Sequence, residues 1–366
     1  MVQYNALCPM LVHSPFAWLY WQLVKQLRLG MIGGGTVGLS TLTLLWKRKA
    51  LFEHMGYNLK IAPVLVRDPG KTRVHEFAGV TFTDDPNVLE HSDVILGLMG
   101  GTDRVLEFIE PQLQTGKPVI TANKAVLAER WDVLKPYAQN GQLYYESSVM
   151  AGTPVIGPLT GTLRSSDALE LHAILSGTCN YILTRMESGA SYESALHEAQ
   201  ELGYAEDPPT LDVGGFDAAH KLCVLARLTV DPDFKWESLE IKGIDGLSSS
   251  NGGSERVLEA VRQGKRVKLV GSIIPNGSSW RAVVRPVILE ADHPLAQSAA
   301  SRNAMVFTGD ASGTVIIQGG GAGGLVTASA VVGDLIDHLA GVSGHKPRPD
   351  MTAVPVGYEH EQFEEI

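Results

Sequence analysis

The 366-residue sequence predicts an α/β fold, a Rossmann-type doubly wound nucleotide-binding domain followed by an α+β region, and three observations carry that reading. Gly33, Gly35 and Gly38 form a Gly-x-Gly-x-x-Gly run between an apolar segment and a helix-forming one. Short apolar runs then alternate with helical patterns to about residue 150. Beyond residue 155 the texture changes to helices among polar loops, and then to a strand-rich stretch.

Taken in order, residues 22–32 lead into Gly33-Gly34-Gly35-Thr36-Val37-Gly38, and helix formers continue over 39–48, giving strand, glycine turn and helix. Residues 59–66 read as a second strand, 92–99 as a third and 118–122 as a fourth. In the second region, 192–202 and 215–228 read as helices and 246–254 as a flexible loop. Asn276-Gly277 is a hairpin signal inside the strand-rich stretch 267–317. The second glycine cluster, 319–324, opens a helix over 327–339, and the tail after Gly344 reads as unstructured.

With 44% hydrophobic and 19% charged residues, the chain can bury the cores of two or three domains. A net charge of −10 argues against a phosphate-backbone binder, so nucleic acid is set aside. Cys8, Cys179 and Cys223 make neither a disulfide framework nor a zinc knuckle, which fits a reducing cytoplasm. Residues 11–24 are apolar, yet Pro9, His13, Ser14 and Pro15 interrupt any membrane-spanning helix. No basic segment or small-residue cleavage site frames them, so 1–28 reads as an N-terminal extension.

The glycine run lets the backbone approach a pyrophosphate, while the following helix start, at Thr36 and Val37, offers free amides. The second strand ends in Val66-Arg67-Asp68, followed by Lys71 and Arg73. An acid there suits the ribose hydroxyls of NAD and an arginine the 2′-phosphate of NADP; Arg67 and its basic neighbours favour NADP(H), with NAD(H) as the alternative. Lys124 follows a strand end, where open α/β sheets bind ligands, although position alone reads equally as an ordinary helix-start lysine. The acidic turn Gly203-Tyr204-Ala205-Glu206-Asp207 leads through Asp212 to a helix with Asp217 and Lys221 four apart on one face. That spacing by itself more often marks a surface ion pair. The carboxylates nevertheless suit a cationic amino group, and the lysine suits a proton donor to a reduced carbonyl. His220 falls off that face and calls for no role.

From about residue 29 to 341 these segments, in this order, resemble homoserine dehydrogenases. The specific stretches are Thr121-Ala122-Asn123-Lys124-Ala125, Tyr145 through Gly152, Ser176-Gly177-Thr178-Cys179-Asn180-Tyr181, Gly203-Tyr204-Ala205-Glu206, Asp217 through Lys221, and the 319–324 cluster with Thr327-Ala328-Ser329. The resemblance implies an NAD(P)H-dependent interconversion of L-aspartate 4-semialdehyde and L-homoserine in a cytoplasmic homodimer. It divides the chain into 29–150 (nucleotide binding, with 319–344 returning to it), 151–318 (catalytic and dimerisation) and 345–366 (flexible tail). It makes Lys221 the proton donor, with Asp217 and Glu206 as substrate contacts and Lys124 facing substrate and nicotinamide. Gly177, Thr178, Tyr204 and Asp212 match pocket positions, and Gly203, Gly321 and Gly323 match backbone positions near the cofactor. A monovalent cation, Na⁺ or K⁺, is implied at Glu146, Val149, Ala151 and Thr153, from one carboxylate and three carbonyls. Two departures stand out: Pro208 replaces the second acid of the usual Glu-x-Asp-Pro, and Gly319-Gly320-Gly321 replaces glycine-proline-glycine, which should loosen that loop.

Two other readings compete. Aspartate semialdehyde dehydrogenase needs a nucleophilic cysteine, and neither Cys179 nor Cys223 carries the flanking signals of an activated thiol. A catalytically silent nucleotide sensor of the same fold would have no use for Lys124, Glu206, Asp217 and Lys221 together.

Overall fold

A computed structural model describes residues 24–71 and 79–366; residues 11–23 of the apolar N-terminal stretch, and Arg73, lie outside the described residues. The first sheet comprises β1 (Lys25–Ile32), β2 (Tyr57–Ile61), β3 (Val64–Leu65), β4 (Phe82–Thr83), β5 (Val94–Gly97), β6 (Val119–Thr121) and β7 (Leu143–Tyr144). Every pairing in it is parallel, in the order β4-β3-β1-β5-β6-β7, with β2 beside the first half of β1. Counting β2 and β3 as one strand, this is the 3-2-1-4-5-6 order of a doubly wound dinucleotide-binding sheet. Leu29, Met31, Ile32, Val94, Ile95 and Leu96 are buried without alternation because helices cover both faces.

The expected second strand is divided. Pro63 has no amide to give to the ladder, so β2 leaves β1 after Ala62 donates to Leu29 O, and β3 resumes as Gly33 N reaches Leu65 O. The helices of this half are α1 (Thr36–Lys47), α2 (Lys49–His54), α3 (Asp103–Gln114), α4 (Lys124–Glu129) and α5 (Trp131–Gln139).

The second half contains α6 (Ile156–Thr160), β8 (Ala168–Ile174), α7 (Gly177–Glu187), α8 (Tyr192–Glu201), α9 (Thr210–Val213), α10 (Phe216–Thr229), β9 (Glu240–Ile241) and α11 (Gly253–Arg262). It continues with β10 (Lys265–Asn276), β11 (Ser279–Glu290), β12 (Arg302–Gly309), β13 (Gly313–Gly320), α12 (Gly324–Leu339) and β14 (Glu364–Glu365). Its sheet runs β13-β12-β8-β10-β11-β14, antiparallel throughout this path, with β9 parallel to β11 at one side. The β10–β11 turn is Gly277-Ser278, one residue beyond the expected pair, since Asn276 still pairs with Ser279 and Gly277 takes φ 63°. Helix α12 returns to the first sheet, where Val331, Val332 and Leu335 pack with Leu29, Leu42 and Leu45.

Three local expectations are corrected. The stretch read as a flexible loop over 246–254 holds short 3₁₀ turns and the start of α11, and Glu193 fastens it through the Ser249 amide and hydroxyl. The 319–321 glycines do not loosen the chain: Gly319 and Gly320 end β13, paired with Asn303 and Arg302. The segment 345–366, read as a flexible tail, has little regular structure but is tied down along its length. His345 meets Asp334, Trp280 Nε1 donates to Thr352 O, Tyr358 donates to Glu170, and β14 joins β11. No helix among the described residues is long and apolar enough to cross a membrane.

Candidate active site

The site forms where the carboxyl ends of the first sheet meet α7, α10 and the second glycine loop. Asn123 ends the β6 turn and caps α4, its Oδ1 accepting from Val126 N at 3.1 Å. Its Nδ2 donates to Met99 O (2.9 Å) and Gly101 O (2.6 Å), tying the β5 and β6 loops together. Lys124 is therefore presented on a braced turn at a strand end, the first position of its helix.

Helix α10 carries the facing groups. Gly215, at φ 83°, lets the chain turn sharply from α9 into α10. Lys221 is only 9% exposed, and its ammonium donates to Leu175 O (2.7 Å) and to Asp217 Oδ2 (2.7 Å). The other carboxylate oxygen of Asp217 is 3.3 Å from Lys124 Nζ. One carboxylate thus bridges two ammonium groups. Burial pushes the Asp217 carboxyl up, but Lys221 and Lys124 outweigh it and hold it well below the ordinary range. Asp217 in turn raises the Lys124 ammonium against the opposing effect of burial. The spacing that alone suggested a solvated ion pair belongs to a buried one.

Around this trio lie the other expected substrate contacts. Ser176 caps α7, its Oγ accepting from Cys179 N, so the free amides at Gly177 and Thr178 form a helix N-terminus suited to a carboxylate. Thr178 Oγ1 donates to Tyr204 O at 2.7 Å, joining that terminus to the acidic turn that Gly203 opens. Asp212 accepts from Glu206 N at 2.9 Å and so holds the turn; burial raises its carboxyl. Glu206 leaves its side chain exposed and acts electrostatically on Lys124.

The glycines read as bordering the cofactor, Gly203 apart, fall in two loops. A Cβ on Gly33 would meet Leu98 O at 2.6 Å and one on Gly38 would meet Gly33 O at 2.2 Å, so neither position admits a side chain. Beside Gly33, Gly34 and Gly35 opens a cleft of about 390 Å³ bordered by Arg67, Asp68, Lys71 and Arg104. Thr36 begins α1, and a Cβ on Gly324 would meet Thr36 Cγ2 at 2.9 Å, so the second glycine loop, with Gly321 and Gly323, abuts the first.

The Glu146 carboxylate, the expected cation ligand, is engaged by main-chain amides. It accepts from the amides of Val155 (2.7 Å), Ile156 (3.0 Å) and Gly157 (2.5 Å), capping α6, because a carboxylate is drawn to the donors of a helix start. The turn after it holds Met150 and Ala151 in consecutive left-handed conformations, at φ 55° and 56°.

A family model described as homoserine dehydrogenase matches residues 154–336. The Bacillus subtilis homoserine dehydrogenase is 34% identical over 86% of this chain and 73% of its own length. The chain belongs to the homoserine dehydrogenase family. The crystal structure of the Thiobacillus denitrificans homoserine dehydrogenase superposes with a TM-score of 0.79 at 32% identity, over 86% of this chain and 74% of that one. A hyperthermophilic archaeal homoserine dehydrogenase in complex with NADPH superposes at 0.72, with 25% identity, over 88% of this chain and all of that one. The chain is thus an NAD(P)-dependent homoserine dehydrogenase, which reduces L-aspartate 4-semialdehyde to L-homoserine and catalyses the reverse. The silent-sensor reading is not favoured, and neither is a thiol dehydrogenase: burial pushes Cys179 up to about 12 and Cys223 to about 11, so neither supplies a thiolate.

Three parts of this homoserine dehydrogenase site escaped the sequence. Leu175 O and Asn303, whose Nδ2 reaches the same oxygen at 3.3 Å, give no local signal because backbone direction places them. His220, assigned no role, donates from Nε2 to Glu129 at 2.8 Å and stacks on Trp236, pinning α10 to α4. Gly100-Gly101 after β5 was a readable signal, a glycine pair at a strand end beside the cleft.

Proposed function

We propose that Lys221 is the proton donor for aldehyde reduction and that NADPH is the preferred reductant. The observation that carries the first part is the buried Lys221 ammonium, fixed by Leu175 O and Asp217 and beside Lys124. The two glycine loops would hold the dinucleotide, which when bound would supply hydride to the aldehyde carbon. The protein then has to stabilise and protonate the alkoxide, which an ammonium in a low-water site can do. Asp217 aims both lysines and raises the Lys124 ammonium, and Lys124 polarises the carbonyl.

Glu206 pairs with the substrate α-amino group, aided by Asp212, while the α7 amides at Gly177 and Thr178, with Tyr204 closing the rim, hold its carboxylate. Gly33, Gly35, Thr36, Val37, Gly38, Gly203, Gly321 and Gly323 contact the dinucleotide through their backbones. Arg67 receives the 2′-phosphate, with Lys71 on the same cleft. A monovalent cation on the main-chain oxygens of Val149, Ala151 and Thr153, next to Glu146, suits an oxygen-only donor set and the left-handed turn at Met150-Ala151. A cytoplasmic homodimer built on the second sheet completes the reading, and the half-exposed Ile316 on edge strand β13 fits it.

Oxidation of NADPH on addition of L-aspartate 4-semialdehyde, compared with NADH and repeated with sodium or potassium replaced by a bulky organic cation, tests these points. Absence of turnover with the semialdehyde would refute the site, equal use of the two nucleotides would refute the phosphate role, and indifference to the cation would refute the metal.

A further inference from the structure

Asn303 lies in β12, fully buried at 0% exposure. Its Nδ2 donates to Leu175 O at 3.3 Å, the oxygen that also holds the Lys221 ammonium at 2.7 Å. A carbonyl has two lone pairs, so one donor need not displace the other. The Asn303 Oδ1 has no hydrogen-bond partner among the described residues, and it lies 2.3 Å from where a Cβ on Gly321 would stand. Two residues earlier, Ser301 O sits 2.8 Å from the Cβ positions of both Gly177 and Gly321. Ala300 adopts φ 56°, a strained conformation for a residue with a side chain. A short segment of β12 and its approach therefore touches the substrate helix terminus, the carbonyl that aims the lysine, and the second glycine loop.

A buried carboxamide with one unmatched oxygen calls for an explanation, since neither leucine nor alanine would carry that burden. We propose that Asn303 is a positioning residue for the reduction: its carboxamide fixes the Leu175 carbonyl that aims Lys221 and seats the Gly321 backbone, holding proton donor and cofactor loop at one spacing. This rests on the reading of Lys221 as donor. Gly321 is then glycine because the Asn303 oxygen occupies the place of a side chain.

The test uses the full chain with NADPH and L-aspartate 4-semialdehyde, and the variants Asn303→Ala, Asn303→Asp, Gly321→Ala and the Asn303→Ala/Gly321→Ala pair. Because misplacement by an ångström can cost about a hundredfold, Asn303→Ala should lower kcat by about ten- to a hundredfold while leaving both KM values within about threefold. Asn303→Asp cannot donate to Leu175 O when ionised but can when protonated, so its kcat relative to the parent should recover as pH falls. A role confined to holding strands together would give no such recovery. Losses in the double variant should match the larger single loss, because both changes break one contact. A folded Asn303→Ala enzyme with parental kcat, or losses that multiply, would overturn the proposal. If Asn303→Ala does not fold, Gly321→Ala decides: a fall in kcat supports the role, and a loss confined to NADPH affinity removes it. Failure of the donor reading itself would appear separately, as full turnover by Lys221→Ala.

Discussion

Asp217→Asn removes one charge and almost no volume, so it isolates the electrostatic role of the bridging carboxylate. The carboxylate lies 2.7 Å from Lys221 Nζ and 3.3 Å from Lys124 Nζ. At an effective dielectric constant of about 20, those separations correspond to about 6 and about 5 kcal/mol of attraction. The second figure must be cut hard, because the Lys124 side chain is 38% exposed against 11% for Lys221. The Lys221 pair therefore decides the outcome. Leaving a buried ammonium without its counter-charge costs on the order of 3–5 kcal/mol once desolvation is included. Urea unfolding, followed by the fluorescence of the six tryptophans, should show a loss of that order, and NADPH oxidation should fall about a hundredfold as the ammonium loses its aim. Asp217→Asn/Lys221→Met should regain most of the stability, since no charge is then left unpaired, and should stay inactive. Parental stability together with turnover within about threefold would refute the reasoning and return the pair to the class of surface ion pairs.

Arg67→Ala should raise the KM for NADPH more than that for NADH, because only the former carries a 2′-phosphate; equal effects in steady-state assays would remove Arg67 from phosphate recognition. Glu146→Ala strips the three amides at the start of α6 of their acceptor and should cost about 2 kcal/mol in urea unfolding, whichever cation is present. Glu170 concerns the tail. Burial pushes its carboxyl up, but hydrogen bonds from His172, the Glu361 amide and Tyr358 hold it down at about 2, against an ordinary 4.5. A carboxyl depressed by folding stabilises above its unfolded value and loses that contribution as pH falls through the folded one, so stability should decline between 4.5 and about 2. Glu170→Gln should flatten that slope, and an unchanged slope in urea titrations at several pH values would show that the tail's anchor does not titrate.

Much of the fold was readable because the parallel sheet writes its pattern locally. Buried strands such as Val94–Gly97 are short apolar runs, and Gly33 and Gly38 mark a turn where a side chain would collide with backbone. The divided second strand was not readable as two, since only the choice of partner for residues beside Pro63 separates them. Lys124, Asp217 and Lys221 stood out through motifs, but their meeting depends on two elements distant in sequence, α4 and α10. Four-residue spacing says nothing about burial, which is why the pair looked ordinary until Leu175 O and Lys124 closed around it. The tail failed for a related reason: 345–366 lacks periodicity, and its anchors, Glu170 and Trp280, lie on strands of the second sheet.

The central claim is that the Lys221 ammonium protonates the nascent alkoxide. The most direct measurement is turnover of Lys221→Ala with NADPH and L-aspartate 4-semialdehyde, alone and with increasing concentrations of a small primary amine. The account predicts a loss of kcat of about 10²- to 10⁴-fold, NADPH affinity nearly unchanged, and partial recovery with the protonated amine but not with a quaternary ammonium ion of similar size. Turnover within about threefold of the parent, measured without added amine, would contradict it.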